Sequence, residues 1–234
     1  MTTTSDDATE RLNKYLAFHL GISRRQADEL ISQGRVSLTS SGVTTLGARI
    51  NPNDTVLVDN TPVTPRTNYT YIAFHKPIGY VCSRKQQGDT PTIYSLLPPS
   101  LHHLKTVGRL DADSSGLLLL TDDGDFTQQM THPRHYKQKH YLVSLNRDLE
   151  PLHQQMINDY GIRLEDGPSK LTLERQSDHN RTDWHVTMSE GRNRQIRRTF
   201  DALGYTVVKL HRTHFGNYSL NNIPTGQWIT LDIS

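Results

Sequence analysis

The chain has 234 residues, 34% of them hydrophobic and 21% charged, a formal net charge of +2 at pH 7 and a mean hydropathy of -0.64. That length holds one large domain or a small and a medium one, each able to bury a core. No apolar run approaches a membrane span, and Met1 to Glu10 is polar and acidic, unlike a signal peptide, so the chain is expected to stay in the cytoplasm. The single cysteine, Cys82, excludes an internal disulfide and a thiolate-rich zinc site. A charge of +2 does not argue nucleic-acid binding by itself, so any basic surface has to come from local segregation of charge.

In chain order, Leu12, Tyr15, Leu16 and His19 recur at helical spacing, with Gly21 as the stop. A second helix follows at once: Ser23 and Gln26 have the spacing of a capping box, Ala27, Leu30 and Ile31 form the apolar stripe, and Gly34 ends it. Arg24 and Arg25 occupy its first turn, where the helix dipole disfavours cations by roughly 0.3–1 kcal/mol each. A bound phosphate would favour them there, and two solvated arginines are the plainer alternative. Val36 to Leu38 and Thr55 to Val58 read as short strands.

The segment RLNKYLAFHLGISRRQADELISQGRV and the later DTVLVD resemble the small RNA-binding domain shared by ribosomal protein S-four and tyrosyl-tRNA synthetases. The resemblance implies that Arg11, Lys14, Arg24, Arg25 and Arg35 line an RNA-backbone surface, with Asp28 and Glu29 limiting how basic it is. Residues 1–60 are assigned to this domain. Residues 61–68, with Pro62 and Pro65 among polar residues, read as a stiff linker, and residues 69–234 as a second domain.

That second part opens with a strand at Tyr69 to His75, a turn at Lys76 to Gly79 and a strand at Tyr80 to Ser83; Arg84 to Thr90 reads as a mobile loop. Leu117 to Leu120 is a continuous apolar run between Ser114-Ser115-Gly116 and Asp122-Asp123-Gly124, the pattern of a strand covered on both faces. Asp111 lies in a tight turn just before it, where a rigid scaffold can hold a reactive carboxylate still. Lys139 to Leu145 alternates as a strand, Leu149 to Tyr160 reads as a helix stopped by Gly161, and strands are expected at Leu171 to Glu174 and Trp184 to Met188. Without repeats, this half reads as a single α+β domain.

In Glu190 to Tyr205, Ile196, Phe200 and Leu203 share one helical face and Gly204 ends the helix. At 100° per residue Arg194 and Arg198 point away from that stripe, to meet a polyanion or simply solvent. Arg197 lies at its edge, placed to enter a cleft and hold a carboxylate, as a catalytic or an ordinary structural ion pair.

GRLDADSSGLLLLTDDGDF, the KHY triplet at Lys139 to Tyr141, EGRNRQIRRTF and VKLHRTHFGNYSL resemble, in order and spacing, the ribosomal RNA pseudouridine synthases of the RsuA and RluB type. The resemblance implies a larger catalytic domain on a mainly antiparallel mixed sheet with flanking helices, and a site-specific isomerase acting on ribosomal RNA, free or in an assembling subunit. Such an isomerisation gains and loses nothing overall, so no small-molecule cofactor is needed; no metal is expected, and a monomer is the default. It carries the catalytic aspartate onto Asp111, the active-site tyrosine onto Tyr141 and the basic partner onto Arg197, expected to pair with Asp111. Arg109, Lys139, Arg192, Arg194 and Arg198 are candidates for RNA contacts.

Competing assignments fit the residues less well. Asp122, Asp123 and Asp125 lack the glutamate of a calcium loop and read as turn chemistry. Asp111 with Asp113 suggests a glycosidase pair without the expected aromatic cleft, so Asp113 is assigned to the turn. His132, His135, His140, His211 and His214 lack cysteine partners and read as surface or RNA-facing histidines. A non-catalytic RNA-binding or ribosome-assembly factor is the alternative from another class, and a glycosidic hydrolase a third.

Overall fold

The computed structural model describes residues 10–233, which form two compact units dividing between Tyr69 and Thr70. In the first, helices Leu12–His19 and Arg24–Ser32 pack with a four-stranded antiparallel sheet that includes Val36–Leu38 and Val56–Val58. Leu12, Leu16, Ala27, Ile31, Val36 and Val56 make its small core. The capping box forms as expected: the Ser23 hydroxyl accepts from the Gln26 N–H, and the Gln26 side chain accepts from the Ser23 N–H.

The stretch expected to act as a linker begins inside this unit. Thr61–Pro62 pairs with Val56–Val58 and Val63 is buried in the core. Further on, the Arg66 N–H donates to His19 Nδ1 at 2.8 Å and its guanidinium to the Phe18 carbonyl at 3.2 Å. Pro62 is tolerated there because it sits in a two-residue edge strand, where a missing N–H leaves no ladder position empty.

The second unit is built on a nine-stranded mixed sheet. Its main path runs Thr172–Ser177, Asn180–Met188, Lys139–Leu145, Val207–Phe215, Ser115–Thr121, Tyr71–Lys76 and Trp228–Thr230. Among these pairings only Val207–Phe215 against Ser115–Thr121 is parallel. Ser115–Thr121 explains the uninterrupted leucine run: Leu118 and Leu120 enter the larger core, and Leu117 and Leu119 enter a second core on the opposite face. All four are essentially inaccessible, and burial of each contributes roughly 1.5–3 kcal/mol.

Two expected elements change character. No strand forms at Tyr80 to Ser83; Val81 makes only an isolated bridge to Thr92, and the Cys82 thiol turns onto the Leu110 backbone, donating to its carbonyl at 3.3 Å. The helix expected from Leu149 starts instead at Pro151, whose missing N–H suits a first helical position. From Met156 to Tyr160 it widens to a π-turn, with the Gly161 N–H reaching the Met156 carbonyl at 2.9 Å. No helix among the described residues is long and apolar enough to cross a membrane.

Candidate active site

The loop leading into Ser115–Thr121 carries Asp111 on a turn closed by the Ser114 N–H and the Asp111 carbonyl at 3.1 Å. A buried lysine holds it from below. Ile72, Phe74 and Lys76 share the inward face of one strand, and Lys76, 0% exposed, is the last of them. Its ammonium donates to the carbonyls of Pro77, Asp111 and Ser114 at 3.0, 3.0 and 2.8 Å. Burial pushes its pKa down, opposed by the charges of Cys82, Asp111 and Asp113. Three carbonyls satisfy all three ammonium protons, so the turn backbone and the lysine fix each other. The Gly79 N–H ties the same turn to the strand end through the Ala112 carbonyl at 2.7 Å.

The arginines differ from what a straight helical projection predicts. The helix runs only from Gln195 to Asp201, so Arg194 precedes it and takes a left-handed conformation, φ 47° and ψ 31°. Such a backbone costs a non-glycine residue roughly 1–2 kcal/mol and here turns the side chain back over the Asp111 loop. The Arg194 guanidinium grips Asp113 through two bonds, 3.1 and 2.9 Å, and its Nη1 lies 3.5 Å from Asp111 Oδ2.

Arg197, expected to pair with Asp111, instead clamps the turn beside it. Its Nη2 donates to the Asp113 carbonyl at 2.8 Å, its Nη1 to the Val207 carbonyl at 2.6 Å, and its Nε lies 3.3 Å from Asp113 Oδ2. Asp113 is therefore no mere turn residue. Burial opposes its ionisation, but the Arg194 hydrogen bond and the charges of Arg197 and Arg194 outweigh it and hold the carboxyl below its usual range. Asp113→Ala removes the carboxylate that aligns both arginines. It is expected to lower turnover about tenfold to a hundredfold, the scale of sub-ångström to 1 Å misplacement, while leaving RNA affinity unchanged or higher. Single-turnover rates alongside equilibrium binding check this.

Asp111 opens into a cleft of about 520 Å³, a size suited to a small ligand or nucleotide. Tyr141, Lys139, Arg212, Phe215, Met188 and the Glu190–Ile196 segment line it together with Arg109. Tyr141 is 7% exposed and lies directly across from Arg212 in the sheet register. Asp111 keeps 36% of its side-chain surface accessible. The cleft thus brings Asp111, Tyr141, Lys139, Arg109, Arg192 and Arg194 together around one space, with Arg197 behind the turn.

Two of the arginines expected to contact RNA are committed to the protein. Arg192 donates to Asp166 Oδ1 and the carbonyls of Asp166, Gly167 and Pro168 at 2.7–3.1 Å, and Arg198 forks onto Asp166 at 3.0 and 2.8 Å. Together they pin the turn between Ile162–Leu164 and Gly167–Ser169. In the first unit Arg11, Arg24 and Arg25 are exposed, although Arg24 Nη2 also reaches Asn13 Oδ1 at 3.0 Å. Arg35 is paired with Asp59, and Lys14 lies 3.6 Å from Glu10. Asp123 caps the Gly124–Thr131 helix, accepting from the Asp125 and Phe126 N–H groups.

Lys76, Arg212 and Asp113 were not singled out as functional by the sequence pattern. Lys76 had a visible signal, since it falls in phase with Ile72 and Phe74 on a strand that buries that face. Arg212 likewise follows Leu210 at period two, and its inward direction is set by the strand that covers it.

A carboxylate turn pinned by a buried lysine thus faces a cation-lined cleft of nucleotide size. The model of the RNA pseudouridylate synthase family matches residues 70–202, and that of the S4 domain matches residues 10–56. The chain is 37% identical to a ribosomal small subunit pseudouridine synthase A of Pasteurella multocida, over 94% of this chain and 95% of that one. It is 35% identical to a ribosomal large subunit pseudouridine synthase B of Bacillus subtilis, over 93% and 90%. A crystal structure of a pseudouridylate synthase superposes with a TM-score of 0.68 at 33% identity, covering 95% of this chain and 96% of the other. The chain belongs to the RNA pseudouridylate synthase family and carries an S4 domain. It is therefore an isomerase, and both parts indicate RNA binding.

Proposed function

We propose that the protein isomerises one uridine of ribosomal RNA to pseudouridine, with Asp111 as the catalytic carboxylate. The observation that carries this reading is the Asp111 turn itself: a carboxylate at the cleft wall, fixed by Lys76 beneath it and by Arg194 beside it. The reaction breaks the glycosidic nitrogen–carbon bond, turns the uracil and rejoins it through ring carbon five. Atoms and electrons balance without a redox or nucleotide cofactor. A carboxylate acts on the ribose or the uracil ring to open this path and later serves in proton removal.

The target base has to leave its stack to reach Asp111, which costs a few kcal/mol. Contacts to the RNA backbone offset that cost. Arg109 at the cleft and Arg11, Arg24 and Arg25 on the S4 domain are exposed for this task. Tyr141 supplies an apolar ring face against the flipped uracil. Arg194 places a guanidinium 3.5 Å from the Asp111 carboxylate, and Arg197 holds the turn in register. The protein acts in this reading as a cytoplasmic monomer.

Pseudouridine mapping of ribosomal RNA from cells with and without the gene tests the assignment. One site is expected to disappear, and its position identifies the subunit. An unchanged map, with RNA binding intact, would favour a non-catalytic RNA-binding or assembly factor on the same scaffold. Release of free uracil would point to a hydrolase.

A further inference from the structure

Within the cleft, the cations fall into two groups. Arg194 and Arg192 have carboxylate partners, Asp113 and Asp111 for the one, Asp166 and Glu190 for the other. Lys139, Arg212 and the exposed Arg109 have none among the described residues, and of these only Lys139 and Arg212 stand over Phe215. Arg212 is 2% exposed, yet its guanidinium makes one hydrogen bond, from Nε to the Leu117 carbonyl at 2.8 Å, and its buried Nη2 has no partner. A buried unsatisfied guanidinium nitrogen is costly unless something arrives to accept from it.

Lys139 stands on the neighbouring strand. Its ammonium makes only long contacts, 3.2 Å to the Glu190 carbonyl and 3.4 Å to that of Lys137. Both cations lie over the same ring, with Lys139 Nζ and Arg212 Cζ each 5.0 Å from the Phe215 centroid. The carboxylate of Glu190, the acid that most influences Lys139, is already taken up by Gln195 and Arg192. Burial, then the charge of Arg212, bring the Lys139 pKa down to about 8 against the pull of Glu190. Two uncompensated cations held against one aromatic ring, at the edge of a nucleotide-sized cleft, make an anion site.

We infer that Lys139 and Arg212 form a phosphate subsite over Phe215, which holds a phosphodiester adjoining the flipped uridine in the cleft. The inference rests on the reading of this cleft as the place where a ribonucleotide reacts. It assigns Arg212 a substrate contact and makes Lys139 part of a defined subsite rather than one of several general RNA-backbone contacts.

The test compares binding of uridine, uridine 5′-monophosphate and uridine 3′-monophosphate to the full chain by NMR titration. One of the monophosphates is expected to bind about tenfold tighter than uridine, the scale of one charge-assisted contact. In Lys139→Gln the two are expected to agree within about twofold, and Lys139→Arg restores the difference. The advantage should shrink between pH 7 and 9, because the ammonium loses its proton as pH rises through about 8. On a ribosomal RNA transcript, Lys139→Gln should also reduce the slope of log Kd against log salt by about 0.7. Lys139 is part-exposed, so this variant reads the subsite even if Arg212→Gln fails to fold.

A wild-type protein with no preference for either monophosphate, or a Lys139→Gln variant that keeps the preference, overturns the subsite. An active isomerase without phosphate preference rejects the subsite and keeps the function. A Lys139-dependent phosphate preference in a protein that isomerises no uridine does the reverse.

Discussion

Asp111→Asn is expected to reduce pseudouridine formation by about 10⁴-fold or more, equivalent to at least about 5.4 kcal/mol of transition-state stabilisation. The substitution keeps the size and shape of the side chain, and the turn is held by backbone carbonyls on Lys76, not by the Asp111 carboxylate. Its fold is therefore preserved. What is lost is a negative, nucleophilic or basic oxygen, for which an amide has no substitute. Arg194 remains anchored through Asp113, so the charge lining the cleft changes by one unit and RNA affinity is expected to stay within a fewfold. An intact thermal transition together with intact RNA binding separates a chemical defect from an unfolded one.

Gly116→Ala is the substitution expected to damage the fold most. Gly116 sits at φ +110°, and a Cβ placed there would lie 2.2 Å from the Arg212 carbonyl oxygen, 2.6 Å from its nitrogen and 2.9 Å from its carbonyl carbon. These are backbone atoms of the parallel neighbour, with Lys76 paired on the other side, so neither can move without opening the centre of the sheet. The same residue sits between Arg212, which lines the cleft, and Lys76, which holds the Asp111 turn. A loss exceeding about 4 kcal/mol, or failure to accumulate as soluble protein, is expected. Gly88→Ala serves as the control: its φ of +58° is also positive, but no atom lies within 4 Å of the added Cβ, so a cost of about 1 kcal/mol is expected. Comparable melting temperatures for the two variants would contradict the close approach at Gly116.

The parts of the molecule legible in the sequence are those governed by short-range pattern. Ser23 and Gln26 announce a helix start because the capping box is a contact over three residues. Leu117 to Leu120 announces a doubly covered strand because both faces of a strand are written in consecutive residues. Asp111 is visible for a related reason: the turn that carries it is closed within four residues.

The misread parts depend on long-range packing or on backbone states that periodicity cannot see. Arg194 projected outward only while it was counted as helical; its left-handed backbone places it before the helix and swings it onto Asp113, 81 residues away. Once Arg194 takes the place beside Asp111, Arg197 is left to the Asp113 and Val207 carbonyls. Asp113 was assigned to turn chemistry because its two arginine partners lie far along the chain. Tyr80 to Ser83 has strand composition but no neighbouring strand to extend its pairing, so only the bridge at Val81 survives.

The most direct measurement of the central claim is release of the ring-carbon-five hydrogen from ribosomal RNA labelled with tritium at that position in uridine, under single-turnover conditions. Joining the ribose to that carbon expels the hydrogen, so the signal reports the isomerisation itself. The wild-type protein is expected to release one equivalent per modified RNA, and Asp111→Asn, bound to the same RNA with similar affinity, none on the same timescale. Release by Asp111→Asn at the wild-type rate would contradict the assignment of Asp111 as the catalytic carboxylate.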